Sequence, residues 1–173
     1  KVIRSQDRAA VMVFDDTMQL RVPLTNDTRI LTDALEGLES SGDTTLYDSL
    51  IEALFYFAGL DGKRALILIS DGSDSASRYT FMEALEYAQR SGAAIYPITL
   101  GMSPRDRMVR GRMLRLAGET GGRAYFVSGV GEIDRVYAEI ETDLRSQYLV
   151  AYQSSSTSSQ SGLKATTVPG YYP

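Results

Sequence analysis

Neither cysteine nor histidine occurs anywhere in the 173 residues. Their absence removes thiol nucleophiles, serine–histidine triads, imidazole general bases and the usual zinc sites. A metal bound by this chain must be held by oxygen, which points to Mg2+, Mn2+ or Ca2+. The fold also stands without a disulfide, which leaves its compartment open. No apolar run approaches the ~20 residues that a membrane-crossing helix needs, and Lys1-Val-Ile-Arg-Ser-Gln-Asp7 has no signal-peptide character. Positive charge is not in excess either. The formal net charge is −4 and the basic residues are scattered among acids, so no nucleic-acid footprint is visible.

What is present is ordinary for a globular domain: 43% hydrophobic and 23% charged residues, in a chain long enough to bury a core. Apolar runs and helical spacings alternate along it. Arg8 to Phe14 reads as a buried strand ending at Asp15-Asp16, and Gln19 to Val22 as a short edge strand closed by Pro23. Ile30, Leu31, Ala34, Leu35 and Leu38 predict a helix over 27–38, capped by Asn26 or Asp27. A polar loop over 40–45 leads to a second helix carrying Leu46, Leu50, Ala53, Leu54 and Phe57 on one stripe. A strand over 64–69, a helix over about 80–90 and a strand over 94–100 follow. Pro97 inside that last strand argues for an edge, a bulge or the first lost ladder bond. A helix at about 105–119 ends at Gly121-Gly122, read as a C-cap and turn. A strand over 123–127, a helix over 134–145 and a strand over 146–152 complete the pattern. Such alternation means a layered α/β domain with a largely parallel sheet. Residues 153–162 are serine-rich and read as a flexible linker or loop, and 163–173 as a terminal strand and tail.

The most informative stretch is Arg64-Ala-Leu-Ile-Leu-Ile-Ser-Asp-Gly-Ser-Asp74. Its four consecutive apolar residues, Leu66 to Ile69, predict a strand buried on both faces. Asp71 then stands just past the carboxyl end of that strand, the edge where ligands bind in open α/β sheets. A carboxylate there, before a glycine that turns the backbone away, suits a cation; taken alone, Ser-Asp-Gly is equally a plain turn. Asp15-Asp16 lacks the Asp-x-Asp spacing of dehalogenase-type phosphatases. It also lacks the lysine after a later strand that a receiver domain requires, and it reads as a solvated turn. Gly118 to Gly122 lacks the spacing of a dinucleotide-binding loop. Asp74, Ser75 and Ser77 read as caps of the helix after them. Asp48 reads either as a first-turn acid favoured by the helix dipole or as support for the loop before it.

Five segments in order cover nearly the whole chain: Thr44-Thr-Leu-Tyr-Asp48, Ser70-Asp-Gly-Ser-Asp74, Thr120-Gly-Gly-Arg123, Leu144-Arg-Ser-Gln-Tyr148 and Gly170-Tyr-Tyr-Pro173. Together they resemble the von Willebrand factor A domain, in particular a bacterial subgroup. The resemblance implies a Rossmann-like, doubly wound, mostly parallel sheet flanked by helices, covering residues 1–152. It implies a metal-ion-dependent adhesion site, usually holding Mg2+, at the carboxyl edge of that sheet. By position Thr44 and Asp71 match the family's loop threonine and fourth-strand aspartate as metal ligands, with Thr45 the fallback if the register slips by one. Hydroxyls with few carboxylates leave a bound ion electropositive and able to attract an acidic group of a partner protein.

The family's opening strand, with its Asp-x-Ser-x-Ser, is not found before Asp15. The expectation is that this strand and most of its helix, roughly 30 residues by the usual size of a βαβ unit, precede Lys1. The expected function is therefore a protein-binding, adhesion-type module and not an enzyme. The alternative is a structural or assembly protein that keeps the fold without the ion. The resemblance places it in a bacterial envelope or secreted setting.

Overall fold

Phe14 ends one apolar run and Met18 begins another, and the three residues between them are short enough only for a hairpin. In the computed structural model, which describes residues 6–37, 43–102, 106–146, 148–152 and 164–168, β1 (Ala9–Phe14) pairs antiparallel with β2 (Met18–Thr25). Pro23 lies inside β2 and does not close it. It is accommodated where the register shifts between Ala9 and Val11 and their partners Thr25 and Val22, on a strand whose only described neighbour is β1. Helix α1 (Thr28–Asp33) is shorter than its apolar spacing predicts. Asp27 caps it, accepting from the Arg29 amide at 2.9 Å, but only Leu31 is buried, while Ile30 and Leu35 are exposed. With one buried side chain, little beyond the cap holds the helix.

Two compact units share the chain: Lys1–Asp61 with Gly72–Ser91, and Gly62–Asp71 with Gly92–Pro173. The first holds the hairpin, α1, α2 (Leu46–Phe55) and α3 (Phe81–Ser91). Helices α2 and α3 pack against each other, with Tyr47 and Phe81 edge to face at 5.9 Å between ring centroids.

The second unit is built on a parallel sheet in the order β3 (Ala65–Ser70), β4 (Ala94–Leu100), β5 (Tyr125–Val127). Alternation along β4 sends Ala94, Tyr96 and Ile98 to one face, where they meet Tyr125, Val127 and Val136 and Ile140 of α5 (Ile133–Ser146). The other face belongs to α4 (Arg107–Thr120). There the Ile95 amide donates to Thr120 Oγ1 at 3.2 Å, and Arg110 lies over the ring of Phe126. Helices on both faces of a parallel sheet are the doubly wound arrangement that the alternation predicts. Helix α4 ends on Gly121 at φ 80°, the left-handed C-cap expected of it. Gly122 is required for a different reason: a Cβ there would stand 1.9 Å from the Ile95 carbonyl oxygen.

One strand expectation is narrowed and another corrected. Pro97 lies in β4, the middle strand of the three, and not at an edge. The β4–β5 ladder begins only at Ile98, so on that side the missing N–H removes no bond. Strand β3 is the edge strand instead, with β4 its one described partner; Leu68 is buried, but Ile67 and Ile69 are 39% and 44% exposed. Its apolar run predicts a strand buried on both faces; the face that Ile67 and Ile69 share is instead exposed, and Leu68 points to the other. Strands β6 (Tyr148–Tyr152) and β7 (Lys164–Val168) form an antiparallel pair. The serine-rich 153–162 segment and the tail beyond Val168 lie outside the described residues.

Candidate functional site

Residues 43–48 run from a polar loop into the first turn of α2, and two separate segments hold them. The Asp15 carbonyl accepts both the Thr45 amide at 3.0 Å and the Thr45 hydroxyl at 2.8 Å. The same hydroxyl lies 3.2 Å from Ser49 Oγ, and Thr45 is buried. Its oxygen is committed to the fold, which disfavours Thr45 as a ligand. Asp16 accepts the Asp43 amide at 2.7 Å, while Asp15 Oδ1 accepts the Thr17 amide at 3.1 Å. The acidic pair is therefore more than a solvated turn: it ties the β1–β2 hairpin to the loop before α2.

Thr44 is held by its main chain. Its amide donates to Ser75 Oγ at 3.0 Å, and its carbonyl accepts from the amides of Ser75 at 3.0 Å and Ala76 at 3.2 Å. Among the described residues the Thr44 hydroxyl makes no hydrogen bond. Of two adjacent threonines, one is used up by the structure; the other is fixed in place with its side-chain oxygen available.

Asp74, Ser75 and Ser77 do not cap α3 as their position in sequence predicts. Thr45, at the N-cap of α2, makes no side-chain cap bond, and the 74–79 loop supplies it. Ser77 Oγ accepts the amides of Tyr47 at 3.0 Å and Asp48 at 3.2 Å, and donates to Asp74 Oδ1. Asp48 returns the exchange: its carboxylate accepts the Tyr79 amide at 3.0 Å and Arg78 Nε at 3.2 Å. Burial alone would raise the Asp48 pKa. The bonds from Tyr79 and Arg78, with the guanidinium charge, outweigh it, and the net shift is downward. The Arg78 side chain is 83% exposed, so the ion pair itself adds little. Helix α3 is capped locally by Thr80 and Glu83, each accepting the other's amide.

Asp71 belongs to the second unit. It follows Ser70, the last residue of β3, and is exposed. Because β3, β4 and β5 are parallel, it stands at the carboxyl edge that they share, and Gly72 at φ 82° turns the chain away. Thr44 lies at the start of α2 in the first unit, so the two residues belong to separately packed parts of the chain. Both offer the hard oxygen donors that Mg2+ prefers. A one-carboxylate set suits an ion that keeps several of its waters, whereas no group of three or more acidic side chains that could enclose an ion occurs among the described residues.

No family model matches the sequence, and no curated protein does. Solved structures do match. BatB from Bacteroides thetaiotaomicron, a conserved hypothetical protein, is 20% identical with a TM-score of 0.65, over 83% of this chain and 82% of that one. An aerotolerance-related membrane protein from Bacteroides fragilis is 17% identical with a TM-score of 0.63, over 80% and 81% of the two chains. A von Willebrand factor type A structure from Catenulispora acidiphila is 14% identical with a TM-score of 0.72 over 87% of this chain, which spans 36% of that one. At these identities the likeness is one of fold.

Proposed function

We infer that this chain, whose fold is of the von Willebrand factor A type, is a protein-binding module that captures an acidic group of its partner through a divalent cation. Thr44 and Asp71 are the proposed protein ligands. The observation that carries the reading is the contrast at Thr44-Thr45: among the described residues the first hydroxyl makes no hydrogen bond while its backbone is held at both amide and carbonyl, and the second is consumed. A bound Mg2+ would supply a positive centre with a coordination position for a partner carboxylate. The chain's own part is to hold Thr44 through Ser75 and to present Asp71 beyond the end of β3. A binder is favoured over an enzyme because the sequence holds no cysteine or histidine to build a nucleophile–base pair. A bacterial envelope setting is supported by the Bacteroides proteins of similar fold, one of them described as a membrane protein. No described helix is long and apolar enough to cross a membrane.

Titration calorimetry with Mn2+ and Mg2+ tests this. Saturable heat is expected, abolished by Asp71→Ala and weakened at least roughly tenfold by Thr44→Val, since even outer-shell partners of a metal cost that much. The second reading, an assembly protein that keeps the fold without an ion, is favoured by the lack of a described acidic cluster. Folded wild-type protein that gives no heat supports it.

A further inference from the structure

Helix α4 carries four arginines, Arg107, Arg110, Arg112 and Arg115, against one acid, Glu119, in a chain of net charge −4. Elsewhere in this unit the arginines Arg123, Arg135 and Arg145 pair with carboxylates of α5 and the turn before it, and Arg115 pairs with Glu119. Arg107 and Arg110 differ. Both are exposed, and neither has a carboxylate within ion-pair distance among the described residues. Arg110 is nonetheless held: its guanidinium carbon lies 4.1 Å from the centroid of the Phe126 ring, which orients the fork without neutralising it. Between these cations the helix exposes Met108 (66%) and Leu114 (49%). Arginine, methionine and apolar side chains together on an open face make the composition of an interface.

The sheet register locates this face. Ser70 pairs with Thr99 and Thr99 with Phe126, so the three occupy one rung across β3, β4 and β5. Asp71 is the residue after Ser70. Two strand spacings, roughly 10 Å, therefore separate the backbone beneath Arg110 from the backbone beside Asp71. Helix α4 also begins at this edge, because its far end, Thr120, receives the amide of Ile95 near the start of β4.

We propose that Arg107, Met108, Arg110 and Leu114 form a docking face for an acidic segment of the partner that also carries apolar side chains, selecting it by charge beside the Asp71 edge. The location rests on the functional reading above; the chemistry of the face does not. An acidic segment places carboxylates against Arg107 and Arg110 and an apolar side chain against Met108 and Leu114. A lone carboxylate would engage the edge but not the helix.

The test is fluorescence anisotropy with a labelled short peptide of alternating Glu and Leu, with Mn2+ and again with EDTA. Arg107→Ala and Arg110→Ala should each weaken binding about threefold, as exposed ion pairs do, and the double variant about tenfold. Added salt should weaken the wild type more than the double variant. Arg90→Ala on α3, an equal loss of charge, should change nothing. Equal binding by wild type and the double variant overturns the proposal. So does binding to anionic lipid vesicles with none to the peptide, or weakening by Arg90→Ala to the same degree. Binding that EDTA leaves intact but the double variant loses sustains the docking face and removes the metal. Binding that EDTA abolishes but the double variant retains does the reverse. Melting temperatures of the variants within a few degrees of wild type separate lost docking from lost fold.

Discussion

Helices α2 and α3 face the same difficulty at their amino ends, where first-turn amides have no carbonyl to receive them, and they resolve it by opposite routes. Helix α3 is capped from within: Thr80 and Glu83, three residues apart, exchange bonds. Helix α2 is capped from the 74–79 loop, some thirty residues further along, and its own Asp48 caps that loop in return. A local cap stabilises one helix. A reciprocal cap makes the first turn of α2, the Thr44 backbone and the 74–79 loop a single cooperative element, so damage at any of its bonds spreads to Thr44.

The largest effect should come from Asp48→Ala. It leaves the Tyr79 amide without its acceptor and frees Arg78, a loss of about 2 kcal/mol in urea unfolding. Asp48→Asn retains an oxygen for Tyr79 and should lose about half of that. Hydrogen exchange sharpens the comparison: in Asp48→Ala the amides of Ser75, Ala76 and Tyr79 should lose protection together. Independent loss would mean that the loop is not one element.

Ser77→Ala should come next, at about 1.5 kcal/mol, because a single oxygen serves two α2 amides. Thr80→Ala removes the local cap of α3 and should cost about 1 kcal/mol. Its exchange effect should be confined to the first turn of α3. Equal spread of lost protection in the two variants would erase the distinction between the two routes.

This distinction also explains what could be read in advance. The α/β alternation, the doubly wound sheet, the Gly121 cap and the Asp27 cap are set by residues close in sequence or by strand composition, and they were legible. The α2 cap was not, because Asp74, Ser75 and Ser77 precede a helix that suits them equally well, and nothing local says that a distant one receives them. Asp48 reads as a first-turn acid or as support for the loop before it, and neither reading names the 74–79 loop that it caps. Pro97 left three readings open, and the choice among them turns on β5 beginning opposite Ile98, which is a tertiary fact. The run over 66–69 misled as well: it predicts a strand buried on both faces, whereas the face that Ile67 and Ile69 share is exposed. Of the candidate ligands, residue types could be named from pattern and resemblance. That Thr44 and not Thr45 keeps its hydroxyl required the coordinates.

The smallest expected effect is in acid. Asp48 and Glu83 both have pKa values below the ordinary carboxylate range. For Asp48, burial opposes the shift, and the Tyr79 and Arg78 bonds drive it. For Glu83 the bonds from the Thr80 amide and hydroxyl drive it. A carboxyl whose folded pKa is depressed contributes stability that is complete above its unfolded value, about 4, and is lost as pH falls through the lower folded value. Stability should therefore be flat near neutrality and decline below about pH 4. Asp48→Asn should flatten that decline, because its charge is removed at every pH. Glu83→Gln should flatten it less, because the Glu83 carboxylate is open to solvent and its bonds compete with water. If the two variants altered the acid limb equally, the reciprocal cap would be no more than a second local one, and the cooperative account of the Thr44 turn would fail on its own terms.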